Sequence, residues 1–389
     1  MSFTLTFEVA FDVNPGDEPG VGDWTDLSSR LRDVASVTLG WAPGSSATVQ
    51  LDNQDRDLDP TNGAAPYNLV PMRHARLTAT FDSIDYPLFR GYVETWVPVW
   101  PEWNESIVEV VVRDGGMWLA RIDTDLDLAE QLTSARITAV LDAAGWPSGL
   151  RDIDVGIVRV DGIDQANANM LLSLEDTVDA EDGELFFSTS GEVVFRSRHA
   201  RFGSSSVLTV GTQGSATYPV DAVRPVYDMT QMVNLARVTL DDGTVFEAVD
   251  SVSRTSYGPA DLPVRDLPIA QHEAVALAQW IVYRFALPTL RLDGLRMLGN
   301  EPGVLDDLLT LERGQLVTFE HTPPGGGTST FTGHVARLVH RISAHRWETT
   351  LALEPYFGAG PWMEWYSDAA ASGDAWLSDV ATSGAVWAP

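Results

Sequence analysis

A two-residue alternation at the start of the chain limits the fold more than any other feature. Phe3, Leu5, Phe7, Val9 and Phe11 fall in one phase, and Thr4, Thr6, Glu8 and Ala10 in the other. Successive side chains of a β-strand point to opposite faces, so this is the pattern of a half-buried strand and not of a helix with 3.6 residues per turn. The same signature predicts strands over 47–51, 75–81, 88–96 and 107–113, separated by clusters of Gly, Pro, Asn and Asp suited to turns. Short strands at this spacing predict an antiparallel β domain, a barrel or sandwich, over residues 1–115.

The period changes over 116–215. Ser134 suits the cap of a helix running to about residue 144, with Ile137, Val140, Leu141 and Ala144 on one stripe and Gly145 and Pro147 as its stop. A second helix is predicted over 167–180 from Met170, Leu171, Leu174 and Val178. ELFFSTSGEVVFRSR (184–198) then reads as a hairpin turning at Ser190 and Gly191, which makes this piece α+β. Residues 216–357 return to β character, with strands expected over 235–240, 315–319, 331–338 and 348–353. One helix is expected over 269–285, where Ala274, Leu277, Ala278 and Ile281 share a face and Pro268 stands at the start. TPPGGGTST (322–330) reads as a hairpin tip.

The last segment, 358–389, carries a repeat. Trp365, Trp376 and Trp387 recur at constant spacing, and SDAAASGDA (367–375) is answered by SDVATSGAV (378–386). Three indoles in so polar a segment make no core of their own, so they either dock on another chain or pack back on this one. They are the candidate partner-binding residues.

Site chemistry is sparse. The chain has no cysteine, which excludes disulfides, thiolate metal sites and thiol nucleophiles. Its net charge of −30 argues against a groove that grips nucleic acid, since such binding needs clustered basic side chains. The acidity fits a well-solvated surface, or a passage that repels DNA and lets it slide. All 25 basic residues are Arg, a skew that reads as codon usage in a high-GC genome. Asp55, Asp57 and Asp59 alternate as cation ligands do. A calcium loop counted from Asp55 nevertheless puts Pro60 and Pro66 where Gly and Glu belong, and the run at 123–127 fails in the same way at Leu128 and Ser134.

The seven histidines form no HExxH pair, and no GxSxG elbow is present. GDEPGVGDW (16–24) reads as a connection and not as a phosphate loop. Trp24, Trp41, Trp96 and Trp100 read as core and not as a sugar-binding face. Paired carboxylates for sugar hydrolysis depend on a spacing that only three dimensions reveal. No catalytic, metal or cofactor-binding residue is therefore predicted, and an enzyme is not expected. No apolar run reaches the ~18–20 residues of a membrane span, so the chain reads as soluble. The residues after Met1 do not read as a secretion signal.

Several segments, taken together, resemble a known family. WTDLSSRLRDV (24–34), SATVQLDNQDRDLDP (46–60) and YPLFRGYVETW (86–96) are followed in order by RITAVLDAAGWP (136–147) and EDGELFFSTSGEVVFRSR (181–198). DSVSRTSYG (250–258), AQWIVYRFALPTLRL (278–292) and FTGHVARLVHRIS (331–343) complete the series. This order resembles the minor tail or tail-hub proteins of long-tailed phages of high-GC bacteria, over roughly residues 3–355. The resemblance implies a fold like the baseplate hub of contractile-tailed phages: mainly β, with two tail-tube-like β-barrel domains at 1–115 and 216–357. An α+β insertion at 116–215 and the Trp-repeat tail at 358–389 complete it. It also implies a structural protein of the virion, at the distal end of the tail, working as a homotrimer.

Six barrels in a trimer would match a sixfold tube while offering threefold symmetry to a fibre or spike. The implied partners are distal tail or tail tube proteins, the tape-measure protein and tip proteins, with DNA passing through the lumen. Neither specific nucleic-acid binding nor membrane insertion is implied. The competing reading is a distal tail or receptor-binding protein whose tryptophans contact host cell-surface glycan, and behind it an enzyme acting on peptidoglycan.

Overall fold

The alternating opening segment becomes β1 (Thr4–Ala10), which buries Phe7 and Val9. The computed structural model describes residues 3–40, 44–101, 105–200, 205–211, 218–220, 222–299, 303–323 and 325–356. After β1 come β2 (Leu31–Leu39), β3 (Ser46–Asp52), β4 (His74–Phe81), β5 (Ile84–Val99) and β6 (Ile107–Arg113). They pair antiparallel in the order β1-β4-β5-β6-β3-β2. Five of these strands lie where alternation placed them. β2 does not follow from the sequence pattern, because its polar start looks like a turn, although Ala35, Val37 and Leu39 alternate and are buried.

The middle piece contains β7 (Asp123–Leu128), α1 (Thr133–Ala143), β8 (Ile163–Asn169), α2 (Met170–Glu181), β9 (Glu184–Phe187) and β10 (Val193–Arg196). Ser134 is not a cap: α1 begins one residue earlier, behind Leu132, and the Thr133 hydroxyl donates to the buried Glu181 carboxylate. α2 starts later than expected because residues 163–169 form a strand. The Asn169 side chain then accepts from Leu172 N at 3.3 Å, closing an orphan N–H of the first turn. Ile137, Leu141, Met170, Leu174, Phe187 and Phe195 make the core of this piece. The acidic run at 123–127 is the strand β7, paired with β8 and burying Leu126.

The last part holds β11 (Leu208–Gly211), β12 (Ala222–Tyr227), β13 (Leu235–Leu240), β14 (Val245–Val249), β15 (Asp261–Leu267) and α3 (Gln271–Phe285). β16 (Leu290–Leu298), β17 (Leu316–His321), β18 (Ser329–Ser343) and β19 (Arg346–Pro355) follow. β13, β14 and β15 form a small sheet of their own. Its core joins Val238, Leu277 and Ile281 to Val158, Val160 and Ala180, so this insertion rests on the middle piece.

Five of the remaining strands repeat the first module, while β11 lies parallel on β17. β12, β16, β19, β18 and β17 pair antiparallel in the same sequence as β2, β3, β6, β5 and β4. The correspondence extends to single residues. Tyr92 faces Arg113 and Val93 faces Val112 before a register shift ahead of Thr95; His334 faces Glu354 and Val335 faces Leu353 before the same shift ahead of Arg337. Met72 N and Arg73 O bracket Val93 with hydrogen bonds of 2.7 Å, as Gly314 N and Gln315 O bracket Val335 at 2.9 Å. β2 then pairs with β18, which merges both modules into one 14-stranded sheet over a continuous apolar core. Among the described residues the ladder does not close into a barrel.

Candidate interaction surface

The residues that looked chemical in the sequence are occupied structurally. Asp55 and Asp57 both meet Arg30, at 2.8 and 3.2 Å. Asp59 is buried and accepts from the Arg56 guanidinium at 2.6 Å and from Thr61 N at 2.8 Å, so the loop is a turn stapled by arginine. Among the described residues no three His, Asp or Glu side chains converge as a metal site would require. The ring of His74 is buried 3.1 Å from the Asn14 carbonyl oxygen, and burial pushes its pKa down. Trp24 lies beneath the Arg76 guanidinium at 4.3 Å, and Trp96 is buried, whereas Trp100 is exposed. Trp41 and the candidates Trp365, Trp376 and Trp387 lie outside the described residues.

What remains is strand edge. Inside the chain one such edge is filled: β17 covers the first half of β18, and β2 takes over the second half. Leu338 faces Leu39, Val339 faces Thr38, His340 faces Val37, Arg341 faces Ser36 and Ile342 faces Ala35. His340 is wholly buried at this junction, and desolvation pushes its pKa down to about 3. Its Nδ1 lies 2.9 Å from the Thr349 hydroxyl and accepts from the Trp347 indole N–H at 3.1 Å, as a neutral ring does. Trp347 meets Phe3 edge-on, with ring centroids 5.1 Å apart, so the first module is latched to the second from both ends of its sheet.

Two glycines make the junction geometry possible. A Cβ at Gly91 would overlap the Arg113 carbonyl oxygen, and one at Gly333 the Glu354 carbonyl oxygen. Each glycine lets two backbones close up just before the register shift, a role open only to a residue without a side chain. Both lie in a common pattern, Phe-x-Gly-x-Val, at FRGYVETW (89–96) and FTGHVARL (331–338). Comparison of those segments with each other was the signal that could have revealed the duplication from sequence.

The duplicate of the filled junction is open at both ends of the chain's sheet. β5 pairs with β4 only up to Tyr92, so residues 96–99 have β6 on one side and, among the described residues, no strand on the other. β12 pairs only with β16 among the described residues. Trp100, Val97, Val99 and Tyr227, along or beside these edges, are 59%, 41%, 37% and 66% exposed.

No family model and no curated protein sequence matches the chain. Solved structures do. A tail protein from Neisseria meningitidis MC58 matches with a TM-score of 0.61 at 10% identity, over 91% of this chain and 97% of that one. The 43 kDa tail protein of prophage MuSo2 from Shewanella oneidensis gives 0.56 at 14% identity, over 90% and 97%. Prophage tail protein gp18 from Listeria monocytogenes EGD-e gives 0.53 at 10% identity, over 90% and 95%. At such identities the likeness is one of fold: the chain has the fold of phage tail proteins, and none of these three is described as an enzyme.

Proposed function

We propose that the chain is a structural hub at the distal end of a phage tail, assembled as a ring of three copies. The observation that carries this reading is the duplicated β module within one chain. Three chains then supply six near-equivalent modules, each completing a tail-tube-like barrel within the ring, and this matches a sixfold tube on one side. The insertion of β13–β15 and α3 occurs once per chain, so the opposite side offers threefold features to a fibre or spike. The fold shared with tail proteins supports the setting.

The net charge of −30 suits a lumen through which DNA passes without being held, since 55 acidic against 25 basic residues give the chain a field that repels phosphates. In this reading the tail tube or distal tail proteins stack above the ring and the end of the tape-measure protein reaches it from within. Trp365, Trp376 and Trp387 hold a tip protein below. Light scattering of the purified chain is expected to return three times its 42.4 kDa mass, and maps of whole tails to show threefold density continuous with the tube. A monomer in both preparations, or six copies at the tube end, overturns the proposal.

A further inference from the structure

Resting on the hub reading, we infer that the seam between copies forms where β12 of one chain lies antiparallel on residues 96–100 of the next. Its register is the one by which β2 lies on β18. The internal junction is the template. Pairings within the two modules make Trp96 the counterpart of Leu338, Pro98 of His340 and Trp100 of Ile342. In β12, Val223, Pro225 and Tyr227 are the counterparts of Ala35, Val37 and Leu39. Carried across, the seam sets Trp96 opposite Tyr227, Val97 opposite Val226, Pro98 opposite Pro225, Val99 opposite Arg224 and Trp100 opposite Val223.

Backbone direction agrees. Asn53 N donates to Ser106 O and Asp114 N to Ser45 O, so alternate residues of β6, Val108 and Val110 among them, turn their peptide groups toward β3. Their partners Trp96 and Pro98 therefore turn theirs away from β6, into the open edge, and Trp100 continues the phase. Such an edge is a template for another strand. Trp96 also carries an indole N–H that is buried and meets no acceptor among the described residues. A second copy is the fitting occupant because both halves of the joint are on this chain, at opposite ends of its sheet. Head-to-tail joining then repeats the internal step between modules until the ring closes.

The seam differs from its template at one point. His340 and Val37 face each other where the internal ladder exchanges backbone bonds; at the seam both positions are proline, with no N–H to give. The flanking pairs, Trp96 with Tyr227 and Trp100 with Val223, keep theirs. Edge prolines stop strands from pairing indiscriminately. The seam is thus weaker than the internal junction, so each chain joins its own modules before it joins a neighbour.

The chain's lack of cysteine makes the test direct. Val97 and Val226 form a non-hydrogen-bonded pair at the seam, a geometry whose Cα separation of about 4.5 Å admits a disulfide. Mild oxidation of the Val97→Cys, Val226→Cys double variant is expected to convert most chains into covalent trimers, reversed by reductant, and neither single variant alone should do so. Trimers by light scattering without cross-links overturn the seam and leave the hub standing; absence of trimers overturns both. Cross-linked ladders beyond three overturn ring closure. Pro98→Ala with Pro225→Ala is expected to slow exchange of labelled subunits at least about tenfold, through regained backbone bonds. Unchanged or faster exchange overturns the role given to the prolines.

Discussion

The first and second β modules share a ladder and differ at their borders. β2 and β3 are joined by a short hairpin, whereas their counterparts β12 and β16 enclose β13–β15 and α3. The positions that hold the ladder together are conserved between the two: Gly91 with Gly333, Val93 with Val335, and the shift that follows each. Where the border changes partner, the residues change kind. His340 and Val37 are buried in the internal junction, while Pro98 and Pro225 stand at its open duplicates. A duplicated fold keeps what its backbone needs and varies what its neighbours need.

Substitution at the paired glycines is the harshest way to break this equivalence. Gly91→Ala forces a methyl into the Arg113 carbonyl, backbone against backbone, and is expected to cost about 3 kcal/mol of stability in urea unfolding. Gly333→Ala meets the Glu354 carbonyl and the Phe331 ring, which can turn aside, and should cost somewhat less. Because one core runs through both modules, each variant is expected to shift a single transition. An alanine tolerated at 91 but not at 333 would show that the modules only look alike.

The next effect depends on pH and separates the two borders. His340 has its pKa lowered to about 3 in the fold, against about 6.5 when exposed, so the unfolded chain binds its proton first on acidification. Its contribution is complete above pH 6.5 and is lost as pH falls toward 3, reaching roughly 2 kcal/mol by pH 5. Asp114, at the far end of the first module's ladder, acts in the opposite sense. Burial raises it to about 6 in spite of hydrogen bonds from Ser45 N, Gly116 N and Gly44 N, so the folded carboxyl takes its proton first. That burial penalty is present above pH 6 and is relieved as pH falls toward 3.8. Unfolding midpoints between pH 8 and 5 should therefore fall less steeply in His340→Gln than in the parent chain. Equal slopes would mean that His340 is not sealed in the junction.

The sequence exposes those strands whose two faces meet different surroundings throughout. Residues 235–240 read as a strand and form β13, and 47–51 lie within β3, since period-two burial is written directly in their side chains. β16 escapes notice for a physical reason: a register shift between Leu292 and Leu295 changes its phase midway, so Leu290, Leu292, Leu295 and Met297 do not alternate. β7 reads as a failed calcium loop because its outward positions are aspartates. The open edges are not legible at all. An edge is defined by the neighbour it lacks, and β12 and residues 96–100 acquire that meaning only beside their filled duplicate.

The smallest effect expected on the β body comes from the tail tryptophans, and it separates ring formation from attachment. If the modules alone make the ring, Trp365→Ala, Trp376→Ala and Trp387→Ala together should leave the trimer mass unchanged and move the unfolding free energy by no more than about 0.5 kcal/mol. The consequence should appear one level up, as tails that keep the hub but lose the protein below it, read by the composition of purified particles. If the same indoles instead grip host glycan, the triple variant keeps its tip composition and loses binding to isolated cell-wall sugar. A fall in trimer mass would contradict both readings, because it would move part of the ring's cohesion out of the duplicated modules and into a segment that has no duplicate among them.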